Sequence, residues 1–187
     1  MVVNYHTIFK TEYIMYPMSD LLNILSGENN NSMPNLHITV ACILYQDDKF
    51  LFVRERDEGK IVYNQPAGHV ERGETLLEAA KRETLEETGW EVEISGFLGI
   101  YHYTAEKSGI CYVRHSFIGK NLFHKEDYKL DEDIIDTCWM SLNEAEKLSK
   151  QMRSPLVLKT LYDFNQRNHY PISLISFQSR NNASRDS

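Results

Sequence analysis

From His37 onward the chain carries apolar residues on both sides of a period-2 pattern. Ile38, Val40, Cys42 and Leu44 lie on one side, and Thr39, Ala41, Ile43 and Tyr45 on the other. Such a pattern predicts a strand covered on both faces, at the centre of a sheet. Gln46-Asp47-Asp48 predicts a turn, Lys49 to Arg54 its returning hairpin partner, and Asp57-Glu58-Gly59-Lys60 a charged loop. The period then lengthens to that of a helix over residues 75–88. Thr75 and Glu78 have the spacing of a capping box, and Gly89 stands where a helix needs a left-handed residue to stop. Leu77, Ala80 and Thr84 form the stripe expected to face a sheet, while Glu78, Lys81 and Leu85 look outward. Strands are predicted at Glu91 to Tyr103, Cys111 to Lys120 and Ile134 to Met140. Ser141 with Glu144 caps a helix through Leu148, and a last helix runs from Ser154 to Phe164.

The two ends read differently. Residues 1–36 mix isolated apolar residues with the polar run Ser26-Gly27-Glu28-Asn29-Asn30-Asn31-Ser32 and are expected to be an extension. Two readings stand side by side: a poorly ordered, over-long gene start with Met33 as the natural beginning, or a short helix around Asp20 to Leu25 packed on the body. Residues 178–187 are polar and expected to form a loose tail.

The chain has 187 residues, 42% of them hydrophobic and 25% charged, which fits one compact domain with a real core. Its net charge of -7 argues against a coat for polymeric nucleic acid, which needs a basic stripe. An acidic protein acting on phosphates needs a metal ion to reconcile like charges. Cys42, Cys111 and Cys138 show no Cys-x-x-Cys spacing, so buried free thiols in a reducing cytoplasm are expected. No apolar run is long enough for a membrane span.

Chemistry concentrates on the helix at 75–88. Glu83, Glu86 and Glu87 project within an arc of roughly 100° at 3.6 residues per turn. They repel one another near a helix C-terminus, where the macrodipole also disfavours negative charge. A solvated acidic face is the bland explanation. A hard divalent cation among them is the functional one, because magnesium takes oxygen ligands and keeps positions open for water or phosphate. Oxygen donors suit magnesium better than imidazole, so His69 and His102 are not expected as ligands. The acidic run Asp131-Glu132-Asp133 reads either as a solvated turn or as a later source of a base. Tyr63, Tyr101, Tyr103 and Trp139 are either core or rings that stack on a base.

The stretch from Gly68 to Gly89 resembles the signature of the Nudix hydrolase family: a Gly, five residues, Glu, seven residues, Arg-Glu, two residues, Glu-Glu, one residue, Gly. Gly68, Glu74, Arg82, Glu83, Glu86, Glu87 and Gly89 stand in register, while Thr84 and Trp90 occupy packing positions where the family pattern is apolar. Asn64 to His69, Trp139 and Arg153-Ser154-Pro155-Leu156-Val157 extend the resemblance to the NudJ-type phosphatases of that family, across about 37–177. The resemblance implies an α/β fold, a Nudix α/β/α sandwich around a mixed sheet, as the domain at 37–177. It implies metal ligation by Glu83, Glu86 and Glu87 with the carbonyl of Gly68, and a bracing pair of Glu74 and Arg82. The base is then Glu86 from the box, or Glu132 or Asp133 from the later loop. Arg54 is expected to reach a substrate phosphate, or else to pair with Glu55 or Asp57.

The implied enzyme is a small cytoplasmic monomer. With Mg2+, or Mn2+ as a substitute, it releases orthophosphate from nucleoside di- and triphosphates and from hydroxymethylpyrimidine pyrophosphate, a thiamine precursor. Its partner is then a small phosphoanhydride, with no polymeric nucleic acid and no membrane. The rival readings are a pyrophosphohydrolase of nucleoside diphosphate derivatives and a non-catalytic nucleotide-sensing module.

Overall fold

The computed structural model describes residues 36–166 and 169–177, apart from the side chain of Asn121. The expectations for residues 1–35 and 178–187 lie outside the described residues. The first strand, β1 (Leu36–Gln46), is followed by β2 (Lys49–Asp57), β3 (Lys60–Asn64) and β4 (Ala67–His69). Helix α1 (Leu76–Thr88) precedes β5 (Trp90–Thr104), β6 (Cys111–His124) and β7 (Ile134–Met140), and α2 (Leu142–Lys147) and α3 (Pro155–Asn165) complete the order.

The strands form a mixed sheet in the order β3-β2-β1-β6-β5, with β4 flanking β1 and β7 flanking β2. β1 runs parallel to β6 from Leu36↔Cys111 to Leu44↔Gly119 and antiparallel to β4, which makes it the central strand that its two apolar faces predicted. Period-2 alternation divides its side chains between two cores. Val40 packs with Ala79 and Ala80 of α1 and with Phe117, whereas Ile43 packs with Phe50, Phe52 and Val157 and Leu161 of α3. Helices therefore cover both faces, and the α/β/α sandwich holds.

Both early hairpins close through residues in the left-handed region, Asp47 and Asp48 at φ 50° and 61°, then Glu58 and Gly59 at φ 47° and 78°. Two left-handed residues in sequence match the right-handed twist of the strands they join. The expected loop at Asp57 to Lys60 is thus a tight turn, and it feeds two short strands, β3 and β4, that the hydrophobic pattern did not announce. β6 also extends four residues beyond the predicted Lys120, to His124. Cys42 and Cys111 are buried free thiols and Cys138 is a half-buried one. Burial pushes the Cys42 thiol up to about 12, against a smaller lowering by hydrogen bonding with Thr84. Among the described residues no helix is long and apolar enough to cross a membrane.

Candidate active site

Helix α1 is fixed at both ends by its own sequence. Glu78 N–H donates to Thr75 Oγ1 at 3.2 Å and Thr75 N–H donates to Glu78 Oε2 at 2.8 Å. Gly89, at φ 71°, donates its N–H to Leu85 O at 2.8 Å and ends the helix. The buried stripe comprises Ala79, Ala80, Glu83, Thr84, Glu87 and Thr88. Two of the three box carboxylates therefore lie on the inner side. Thr84 is tolerated at 0% exposure because its hydroxyl donates to Ala80 O at 2.6 Å.

The preceding loop is pressed against those carboxylates. Ala67 N–H donates to Glu87 Oε2 at 2.9 Å. A Cβ on Gly68 would stand 2.2 Å from the Glu83 carboxylate, so only glycine lets the backbone come so near. Gly68→Ala should displace Glu83 and lower kcat/KM by about ten- to a hundredfold, the range typical when a group that orients a metal site is disturbed. Steady-state kinetics beside a melting curve checks this, and near-parental activity contradicts the assignment.

Arg82 ties the acidic cluster together. Its guanidinium donates to Glu74 at 2.7 and 3.0 Å, to Glu83 at 2.9 Å, to Glu86 at 2.9 Å and to the carbonyl of His69 at 3.0 Å. Hydrogen bonding to Arg82 lowers the Glu74 carboxyl. Burial raises the Glu83 carboxyl, with repulsion from Glu86 and Asp131 adding to it. Glu87, 9% exposed, is raised well above the ordinary 4.5, first by burial and then by repulsion from Glu83, Glu55 and Asp131.

As the side chains stand, no group of three among the described residues forms a ready metal cage, since Arg82 holds Glu83 and Glu86. The donor chemistry nevertheless fits a hard divalent ion. Hard oxygen donors are crowded and partly desolvated, Glu87 has no cationic partner within ion-pair distance among the described residues, and Gly68 leaves a cradle beside Glu83 that a Cβ would fill.

These groups line a cleft of about 990 Å³. Besides Arg82, the cations lining it are Arg114, Arg153 and Lys107. Arg114 is 9% exposed, donates to Asn64 Oδ1 at 3.5 Å, and is lowered to about 10 by burial. Arg153 donates to Glu55 at 2.8 Å and stands 3.7 Å from Asp57. Glu55 keeps one buried oxygen, Oε1, without a hydrogen-bond partner.

The residues expected from the sequence divide at this cleft. Gly68, Glu83, Glu86, Glu87, Arg82 and Asp133 line it, as does Asp131, whose N–H donates to Glu86 O at 3.1 Å. Glu74 lies behind, bonded to Arg82. Glu132 and Arg54 are not among the lining residues. Arg54 makes an ion pair, with Asp136 directly across the β2–β7 ladder rather than with Glu55 or Asp57. The cause is strand phase: Glu55 and Asp57 point into the cleft, so Arg54 points to the opposite side. Arg54→Met should leave kcat/KM within about threefold of the parent, because an exposed pair contributes little. A larger loss would return Arg54 to the substrate.

Of the four candidate rings only Tyr103 lines the cleft. Tyr63 and Tyr101 pack on the core with Phe50 and Phe52, and Trp139 packs on the cluster of Cys42, Leu44 and Leu51. His69 lines the cleft and bonds His37 at 2.6 Å, whereas His102 meets the Cys111 sulfur at 2.7 Å. The sequence reading missed Arg114, Glu55 and Tyr112 as cleft residues. The available signal was a polar alternation, Tyr112, Arg114 and Ser116, inside an otherwise apolar strand.

The sandwich and its carboxylate-lined cleft are those of a Nudix hydrolase, and residues 35–160 match the NUDIX domain. The chain belongs to the Nudix family and is a phosphoanhydride hydrolase; enzymes of this family use divalent metal ions. It is 36% identical to Phosphatase NudJ of Escherichia coli (strain K12) over 141 residues, 74% of this chain and 90% of that one. Phosphatase NudJ of Shigella boydii serotype 4 (strain Sb227) matches to the same extent. Among solved structures, a NUDIX hydrolase from Nitrosomonas europaea superposes with a TM-score of 0.74 at 38% identity, covering 76% of this chain and 97% of that one.

Proposed function

We propose that the enzyme is a Mg2+-dependent phosphatase, with Mn2+ as a substitute, that releases orthophosphate from nucleoside di- and triphosphates and from hydroxymethylpyrimidine pyrophosphate. The observation that carries the proposal is one cleft lined both by the box carboxylates Glu83, Glu86 and Glu87 and by Arg114 and Arg153. Carboxylates alone would repel a polyphosphate, and arginines alone would hold it without activating water. The relatives called Phosphatase NudJ support the same reading.

Glu83, Glu86 and Glu87, with the Gly68 carbonyl, would hold the metal, which supplies charge neutralisation and a more acidic water. Arg82 and Glu74 position these carboxylates. Arg114 and Arg153 bind phosphate oxygens through charge-assisted hydrogen bonds and stabilise charge on the leaving group. Water attacks phosphorus, a new P–O bond forms, the anhydride P–O bond breaks, and the water's proton passes to Glu86 or Asp133. Asp133 lines the cleft and Glu132 does not, which favours Asp133 of the two loop candidates. The enzyme acts in the cytoplasm as a monomer on small molecules, in keeping with its free thiols and net charge of -7.

The test is hydrolysis of nucleoside di- and triphosphates and hydroxymethylpyrimidine pyrophosphate, with orthophosphate and pyrophosphate detected separately. Orthophosphate from all three is expected. Pyrophosphate as the sole inorganic product from triphosphates would favour the pyrophosphohydrolase. Nucleotide binding without turnover at any divalent ion would favour a sensing module.

A further inference from the structure

Two rows of side chains cross the sheet beneath the cleft. In the first, His37, Tyr112 and Tyr103 are register partners on β1, β6 and β5. In the second, Thr39 and Arg114 are partners on β1 and β6. Tyr112 and Arg114 are two residues apart on one strand, so they share a face at a separation of about 7 Å. Tyr103, Tyr112 and Arg114 all line the cleft.

The two tyrosines are not serving as core. Neither belongs to a hydrophobic cluster, in contrast to Tyr63 and Tyr101. Directly opposed positions in an antiparallel pair hold their Cβ atoms about 5 Å apart, so the two side chains rise as neighbours from one face of the sheet. Tyr112 is fixed from behind by His37, whose ring meets it edge-on at 5.4 Å and 62°, and His37 is itself held by His69 at 2.6 Å. Two neighbouring tyrosines, one of them braced, lining the same cleft as a buried arginine fit a flat ring joined to phosphate.

The geometry points to Tyr112 and Tyr103 as the seat of the substrate's aromatic heterocycle, the feature by which this enzyme prefers ring-bearing phosphoanhydrides over ring-free polyphosphate. This rests on the phosphatase reading above and names the residues that would read the non-phosphate part of its substrate. Stacking on an aromatic side chain tolerates any base, because every base has a π-face, so a single seat serves purines and pyrimidines alike.

The experiment compares the intact enzyme with Tyr112→Leu, Tyr103→Leu and Tyr112→Phe. The first measurement is the ratio of kcat/KM for a nucleoside diphosphate to that for inorganic tripolyphosphate. Both Leu variants should lower the ratio roughly tenfold through KM, and Tyr112→Phe should retain it. The second measurement, independent of turnover, is binding of a nucleoside monophosphate against binding of inorganic phosphate. The Leu variants should weaken the first by a similar factor relative to the second. An unchanged ratio in both measurements overturns the seat. If the parent binds nucleoside monophosphate through these tyrosines yet hydrolyses neither compound, the seat stands and the phosphatase reading falls.

Discussion

Glu87→Gln should lower kcat more than about a hundredfold while raising the melting temperature of the metal-free protein. Both effects come from one buried charge. The Glu87 carboxyl is desolvated and repelled by Glu83, Glu55 and Asp131, with one backbone N–H, that of Ala67, to offset this. Glutamine keeps the volume and an oxygen that can accept from Ala67, and it removes the charge. Disturbing a group that orients a metal ligand typically costs about 10- to 100-fold, so on the proposal that Glu87 itself holds the metal its loss should exceed that range. The pH dependence has a definite sign. A carboxyl whose folded value is raised binds more protons when folded than when unfolded, so its contribution to stability falls as pH rises above 4.5. The stability gap between Glu87→Gln and the parent should therefore widen from about pH 4.5 upward. Magnesium should close it, since an ion at a hundred times its Kd stabilises the folded parent by about 2.7 kcal/mol. Calorimetric melting with and without Mg2+ across pH, beside kcat, measures all of this. A parent that neither gains stability from Mg2+ nor loses turnover on substitution would remove Glu87 from the site.

That combination marks α1 as a helix built against its own stability. Its last turn carries no basic residue, although the macrodipole there favours one. Thr75, Glu78 and Gly89 supply the caps that hold it in place. Arg82, bonded to Glu74, Glu83, Glu86 and the carbonyl of His69, keeps the acidic cluster together.

What could be read from the sequence was whatever depends on neighbours along the chain. The hairpin at Asp47-Asp48, the capping boxes of α1 and α2, and the central placement of β1 follow from local pattern, and each appears where expected. The spacing of Glu83, Glu86 and Glu87 was legible for the same reason. What escaped were decisions made between distant segments. β3 and β4 are five and three residues long, too short for a period-2 signal, and they exist because β2 and β1 offer them edges. Arg54 stands one residue from a cleft position, and which of Arg54 and Glu55 faces inward depends on pairing with β7, where the register shifts between those two residues. Arg114 joins the box carboxylates only through the parallel pairing of β1 with β6. The polar alternation of Tyr112, Arg114 and Ser116 marks a polar face on that strand, but nothing along the chain says that this face meets the box carboxylates.

Arg114→Met should lower kcat/KM on the order of a hundredfold, mainly through KM, and leave the fold at least as stable. A phosphate oxygen is the natural acceptor for a buried guanidinium whose protein contact is one 3.5 Å bond to Asn64. Hydrogen bonds to charged groups contribute about 1.5–3 kcal/mol each, and a guanidinium can make two to the same phosphate. Burial lowers Arg114 to about 10, outweighing the favourable field of Glu87 and Glu55, so the folded protein carries the cost of its charge at every pH below that. Methionine fills the same space without that cost, so denaturant unfolding at pH 7 should show no loss and a small gain. Above about pH 10 the folded state binds fewer protons at this site than the unfolded chain, so the gain should shrink as pH rises. Arg114→Lys makes the sharper test. An ammonium in the same buried place loses its proton more readily and cannot fork onto two oxygens, so it should restore only part of the binding and lose that part at lower pH than the parent. Equal KM for parent, Lys and Met variants would show that phosphate never reaches the floor of the cleft.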